Sequence, residues 1–146
     1  VVALLADDPI GVGRESVTAG ERDLAPYRSA FSLIEADAAQ LLVVVADGDD
    51  VVGTLQLPFI PGLARRGALR AQIEAVRVRV DRRGHGLGAA TFEWAIGEAR
   101  RRGCALVQLT TGKGRPDVHR FYERLGFVAS HEGRKLQLRT DAVPTS

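Results

Sequence analysis

Apolar positions along the chain fall into two periods. Between Pro26 and Gln40, Tyr27, Phe31, Ile34 and Ala38 recur at spacings of three and four, which predicts an amphipathic helix. Leu41 to Ala46 is apolar and rich in valine, hence a strand. Asp47-Gly48-Asp49-Asp50 predicts a tight turn, and Val51 to Leu57 the returning strand of a hairpin. Pro58, Pro61 and Gly62 then predict a loop. Ala71 to Val80 reads as a long strand with Gln72, Glu74, Val76, Val78 and Val80 on one face and Ile73, Ala75, Arg77 and Arg79 on the other. A helix follows from about Gly86 to Arg102, with Ala89, Phe92, Ile96 and Ala99 in line and Gly103 as its stop. Ala105 to Thr111 predicts a buried strand. Pro116 opens a helix that runs through Phe121, Tyr122 and Leu125 to Gly126. Phe127 to Ser130 and Lys135 to Arg139 are expected as a last pair of strands. At the start, Val1 to Ala6 reads as the end of a helix closed by Asp7-Asp8-Pro9, and Thr140 to Ser146 reads as a tail.

Helices thus alternate with strands in the order of a mixed α/β sheet domain. The 146 residues are the size of one domain, so residues 1–146 are expected to form a single unit. No run approaches the roughly 18 apolar residues a membrane span requires, and the N-terminus lacks a signal-peptide pattern. Neither a membrane nor, at a net charge of +2, a nucleic acid is an expected partner. The one cysteine, Cys104, has no internal disulfide partner, which favours a reducing cytoplasm. It reads as a small core residue rather than a nucleophile. His85, His119 and His131 lack zinc-ligand spacing, so no metal is expected.

One segment carries chemistry. Arg83-Gly84-His85-Gly86-Leu87-Gly88 lies between a predicted strand and a predicted helix. A helix N-terminus presents unpaired N–H groups and the positive end of the dipole, which together bind anions. Glycines admit a phosphate close to the backbone, and Arg83 adds a fixed charge. From these residues alone, a plain tight turn and a dinucleotide loop remain open, since Gly84-x-Gly86-x-x-Ala89 fits the dinucleotide spacing. Against the latter, the region around Cys104 offers no acidic residue for a ribose. Thr111-Gly112-Lys113-Gly114 lacks the upstream glycine and following Ser/Thr of a P-loop.

Three motifs in order resemble the GNAT acetyltransferase superfamily. Val78-Arg79-Val80-Asp81-Arg82-Arg83-Gly84-His85-Gly86-Leu87-Gly88 is similar to its strand and pyrophosphate loop. Ala105 to Leu109 takes the place of the next strand. His119-Arg120-Phe121-Tyr122-Glu123-Arg124-Leu125-Gly126-Phe127 is similar to its late helix ending in Tyr-x-x-x-Gly-Phe. The resemblance covers roughly Leu41 to Leu138. It implies a largely antiparallel central sheet that splays open, flanked by helices, with acetyl-coenzyme A as co-substrate in the opening. The Val78-Arg79-Val80 segment would pair with the pantetheine arm as an added strand does. N–H groups across Arg83, Gly84, His85, Gly86, Leu87, Gly88 and Ala89 would hold the pyrophosphate. Many members carry an Asn where this chain has Arg115 and Pro116. Arg115 would meet a phosphate there, or face solvent.

The implied reaction is acetyl transfer to an amine by direct attack in a ternary complex. Tyr122 takes the family's place for the acid that protonates the leaving sulfur, against simple packing beside Phe121. The Val78 N–H would donate to the thioester carbonyl. Glu74, on the face assigned to Val78, would take the amine proton through water; alternatively it pairs with Arg70 or Arg77. The Pro26–Gln40 helix and the Pro58–Arg70 loop would frame the acceptor, with Arg65 and Arg66 placed to attract an acidic group or simply solvated. The acceptor is expected to be a small-molecule or protein amine, and a homodimer is an open option. A coenzyme A-binding sensor or regulatory domain without turnover is the alternative function.

Overall fold

A computed structural model of the protein describes residues 1–7 and 21–138, with side chains described from residue 24 within the second span. The chain divides into two compact units, Val1–Gln108 and Leu109–Ser146.

The first unit is built on a sheet with strand order β1-β2-β3-β4: β1 (Gln40–Asp47), β2 (Asp50–Ile60), β3 (Arg70–Val78) and β4 (Leu106–Leu109), the last reaching the unit boundary. β1 and β2 form the expected hairpin around Gly48, and both β1–β2 and β2–β3 are antiparallel. β2 carries the core. Val52, Leu55, Leu57 and Phe59 are buried, and Leu57 is fully sealed at 0% exposure. Thr54 on the opposite face is also buried, and its hydroxyl donates to the Val43 carbonyl at 2.9 Å, as a buried polar group requires. β2 runs through Pro58 to Ile60, three residues past its expected end. Pro58 pairs with Gln40 at the edge strand, and the next amide, Phe59, donates to the Ala39 carbonyl, so proline's missing donor does not stop the strand.

Helix α1 (Val2–Ala6) packs against β3, and α2 (Glu21–Ala36) against β1. The sequence expectation started α2 at Pro26; the helix instead begins five residues earlier and contains that proline. Asp8 and Pro9, the expected stop after α1, lie outside the described residues, as do Arg139 and the tail. Helix α4 (Leu87–Arg101) buries Thr91, Phe92, Ala95 and Ala99. At its end the Arg102 guanidinium stacks 4.1 Å from the Phe59 ring centre, which places the Phe59 face of the sheet toward α4. Arg101 and Arg102 both bond the Glu98 carboxylate, at 2.6–2.9 Å. These bonds, first from Arg101 and then from Arg102, pull the Glu98 pKa down to about 2.

Between β2 and β3 a single turn, α3 (Ala64–Gly67), replaces the expected plain loop. Arg65 and Arg66 sit there with φ of 56° and 61°, a left-handed pair that costs about 1–2 kcal/mol per non-glycine residue.

The second unit contains helix α5 (Pro116–Arg124), opened by Pro116 as expected. Residues 127–138 form no strand, contrary to the expected last pair. Val128, Leu136 and Leu138 are more than four-fifths exposed, so these segments have the apolar content of strands without the ladder that makes one.

Candidate active site

β3 does not end as a regular strand. Gln56 pairs with Glu74 and Thr54 with Arg77, so Leu55 faces two residues, Ala75 and Val76. The extra residue is a β-bulge, and Ala75 adopts φ 52° to make it. The Val76 carbonyl accepts a bond from Arg77 Nη1 at 2.8 Å. Gly53 makes room for the bulge: a Cβ there would stand 3.1 Å from the Arg77 carbonyl oxygen.

The bulge overturns the expected alternation. Glu74 shares its face with Gln56, Thr54 and Arg77, whereas Val78 pairs with Gly53 on the opposite face. Glu74 and Val78 therefore do not share a face. An inserted residue reverses every side chain after it, and nothing in Ala75-Val76 signals the insertion. Glu74 is exposed, and its carboxylate has no hydrogen-bond or ion-pair partner among the described residues, so the expected pairing with Arg70 or Arg77 is absent.

β3 stops at Val78, two residues earlier than expected, and a 3-10 turn follows over Val80–Arg82. The Arg79 amide donates to the Val52 carbonyl at 2.8 Å. Its guanidinium forms a bidentate pair with Asp81 (2.6 and 2.9 Å), which raises the Arg79 pKa and lowers that of Asp81. The Arg79 side chain is thus engaged along one side of a surface cleft lined by Val1, Ala3, Leu4, Asp7 and Val51.

Beyond this turn the loop opens. Arg83 Nε donates to the Val78 carbonyl at 2.9 Å, tying the loop to the strand end. His85 Nδ1 lies 2.9 Å from the Arg83 carbonyl and braces the turn. Gly84 and Gly86 have φ of 78° and 79°, and a Cβ at either would meet nothing within 4 Å. Both glycines are therefore demanded by backbone angle, and both leave free space above the chain. Gly86 is the N-cap of α4 without a side-chain cap, and its carbonyl accepts the first helical bond, from Ala90. The N–H groups of Leu87, Gly88 and Ala89 precede that bond and have no helical acceptor. Arg83, Gly84, His85 and Gly86 are exposed; Leu87, Gly88 and Ala89 are half-buried. The structure thus brings together the expected loop residues and Val78 around an open, positively polarised helix N-terminus.

In the second unit Tyr122 sits on α5, half-buried. It meets Phe121 at 5.6 Å and Phe127 at 6.0 Å between ring centres, both edge-on. The expected packing beside Phe121 is present and extends to Phe127. His119 contacts the Gly112 carbonyl at 3.0 Å. Arg115 is the exposed N-cap of α5 and has no acidic partner among the described residues. Cys104, half-buried, has its thiol pKa pushed up by burial, which fits a packing role. Among the described residues no three His, Cys, Asp or Glu side chains group as a metal site would, and no helix is long and apolar enough to cross a membrane.

A strand shifted by a bulge, a glycine turn and a helix N-terminus without a side-chain cap stand together on an α/β sheet, the elements from which anion sites are built. Comparison with known proteins gives that class a family. The acetyltransferase (GNAT) family model matches residues 8–127, and the chain belongs to this family. It is 31% identical over 111 residues to the aminoalkylphosphonate N-acetyltransferase of Salmonella typhimurium, covering 76% of this chain and 71% of that protein. Among solved structures it resembles a transcriptional regulator from Bacillus halodurans C-125, with TM-score 0.88, 46% identity and coverage of 94% of this chain and 90% of that one. It also resembles a Trypanosoma brucei acetyltransferase, with TM-score 0.71, 26% identity and coverage of 94% and 89%. The mixed α/β architecture with helices flanking a central sheet is the fold of this family.

Proposed function

We propose that this protein transfers an acetyl group from acetyl-coenzyme A to a primary amine, with both substrates bound together. The uncapped N-terminus of α4 behind Gly84 and Gly86 carries the reading: it offers N–H donors and open space where a pyrophosphate requires both. Arg83 adds charge beside it. Acetyl-coenzyme A supplies the activated acetyl thioester. The Val78-Arg79-Val80 segment guides its pantetheine arm, just past the bulge at Ala75, where the register of β3 against β2 shifts.

Glu74 takes the amine proton, directly or through one water, and its unpartnered carboxylate supports that role. The freed nitrogen attacks the thioester carbon. The C–N bond forms, the C–S bond breaks, and the sulfur leaves with the electron pair. Tyr122 gives its phenolic proton to that sulfur, a role carried by its motif. Holding the reactants together contributes as much as roughly 7–11 kcal/mol in favourable cases. The acceptor is a small amine, and the similarity to an aminoalkylphosphonate N-acetyltransferase supports one that also bears an anion.

Calorimetric titration with acetyl-coenzyme A tests the site; absence of binding at millimolar concentration sinks it. Release of free thiol across an amine panel tests turnover. A second reading, a coenzyme A-responsive regulatory domain without turnover, is favoured by the similarity to a transcriptional regulator and by Arg115 in place of the usual Asn. It requires coenzyme binding with no thiol release, so any turnover removes it.

A further inference from the structure

The turn that leads into the glycine loop is tethered from outside at one place. Among the described residues, the hydrogen bonds and ion pairs of residues 79–86 stay within residues 78–90, except for three that reach the β1–β2 hairpin. The Arg79 amide donates to the Val52 carbonyl at 2.8 Å. Arg79 Nη1 lies 3.9 Å from an Asp50 carboxylate oxygen. Arg82 Nη2 donates to Asp47 at 2.5 Å, across 35 residues of sequence. Asp81 joins the two arginines: it accepts twice from Arg79 and lies 3.8 Å from Arg82 Nε. The result is an unbroken row of alternating charge, Asp50, Arg79, Asp81, Arg82 and Asp47.

Asp47 and Asp50 are the last pair of the β1–β2 ladder, directly opposite each other. Like charges so placed repel, and the two arginines offset that repulsion. The five side chains are 32–70% exposed, so each pair contributes little to global stability. Their effect is local. Asp47 and Asp50 grip the chain at both ends of the Val80–Arg82 turn. Arg83 follows at once, bonded through Nε to the Val78 carbonyl and without an acidic partner among the described residues. Arg82 is thus spent on the hairpin, while Arg83 keeps its charge for the loop.

We propose that Asp47 and Arg82 are positioning residues for the coenzyme loop. Their pair holds the Val80–Arg82 turn against the hairpin and so fixes the direction in which the amides of residues 84–89 face. Neither side chain touches the pyrophosphate. The inference rests on the acetyl-transfer reading for the identity of the ligand, whereas the tether belongs to the protein without ligand.

The test uses Asp47→Asn, Asp47→Glu, Arg82→Gln and the double variant Asp47→Asn with Arg82→Gln. Calorimetry gives the Kd of acetyl-coenzyme A, and free-thiol release with ethylamine and 2-aminoethylphosphonate gives KM and kcat. Asp47→Asn and Arg82→Gln are each expected to raise Kd and KM for acetyl-coenzyme A about fivefold, the ratio one exposed ion pair supplies at most. Values of kcat and of the acceptor KM stay as in the wild type. Asp47→Glu keeps the pair and most of the affinity, and the double variant binds no worse than either single, since both act through one contact. A merely structural role would lower the melting temperature and leave Kd alone. An Asp47→Asn variant that binds as the wild type does overturns the proposal. One that binds more tightly also overturns it, because Arg82, once released, would then be a direct phosphate ligand. Amide exchange of the ligand-free protein separates the tether from the ligand. The Arg82 and Arg83 amides, bonded to the Arg79 and Val80 carbonyls, are expected to exchange about fivefold faster in Asp47→Asn. If the wild type binds no acetyl-coenzyme A, the acetyl-transfer reading falls and this exchange alone decides the tether; unchanged protection at both amides overturns it.

Discussion

Replacing Gly86 with alanine separates the cost of a backbone angle from the cost of a blocked site. At φ 79° an L-residue pays about 1–2 kcal/mol, and a Cβ at this position meets nothing within 4 Å, so no packing penalty adds to it. A loss of that size lowers the melting temperature by roughly 2–8 °C in a domain of this length. The effect on coenzyme binding has a different origin. The methyl would project into the open space above the Leu87–Ala89 amides, where a phosphate oxygen must come within about 3 Å of an N–H. Losing one charge-assisted hydrogen bond costs about 1.5–3 kcal/mol, or roughly 10- to 150-fold in Kd. Gly97→Ala is the control. Gly97 lies within α4 with open space around it, so the change stabilises by about 0.5–1 kcal/mol and leaves binding alone. Thermal melts and acetyl-coenzyme A titrations of both variants make the comparison. If Gly86→Ala melts lower by that amount yet binds acetyl-coenzyme A as the wild type does, the pyrophosphate does not lie on this loop.

Tyr122→Phe is expected to keep coenzyme affinity and slow turnover by about 10²–10⁴-fold, as is typical for loss of a general acid; an unchanged rate rejects the acid role. Gly53→Ala forces a Cβ to 3.1 Å from the Arg77 carbonyl and should destabilise by about 1–3 kcal/mol, read by denaturant melts, with amide-exchange protection falling around Ala75. Glu98 is held at a pKa of about 2 by Arg101 and Arg102, below its ordinary value near 4.5. Its contribution is therefore complete above pH 4.5 and is lost as pH falls toward 2. The stability gap between wild type and Glu98→Gln should close over that window in acid-unfolding curves, and a gap that persists at pH 2 contradicts the pairing.

The site was legible where chemistry depends on short spacings. Arg83 to Gly88 announced a tight turn into a helix because glycine is the residue that reaches positive φ without cost, and the structure has Gly84 and Gly86 in that state. The hairpin, α4 and the Pro116 start of α5 were legible for the same kind of reason, since each depends on local turn or cap chemistry. The start of α2 was misjudged because Pro26 was read as a boundary, whereas the helix tolerates it inside. The end of β2 was misjudged for the parallel reason at Pro58, where an edge-strand pairing absorbs the missing donor. The expected strands after Phe127 have the composition of strands, but a strand exists only by pairing, and composition does not supply a neighbour.

By itself, then, the sequence determined the order of the hairpin, β3, α4, β4 and α5, the positive-φ glycine turn at the head of α4 and the membership that its three motifs imply, all of which rest on residues near one another in the chain. Tertiary structure alone decided which face of β3 the side chains after Ala75 occupy. Ala75 carries no mark of a bulge; the inserted residue arises from how Leu55 and Gly53 of β2 meet β3, a contact between segments some twenty residues apart. That single insertion left Glu74 on the face of Arg70 and Gln72, where alternation already had it, and separated it from Val78. Strand side chains alternate with a period of two, so one extra residue reverses all that follow it.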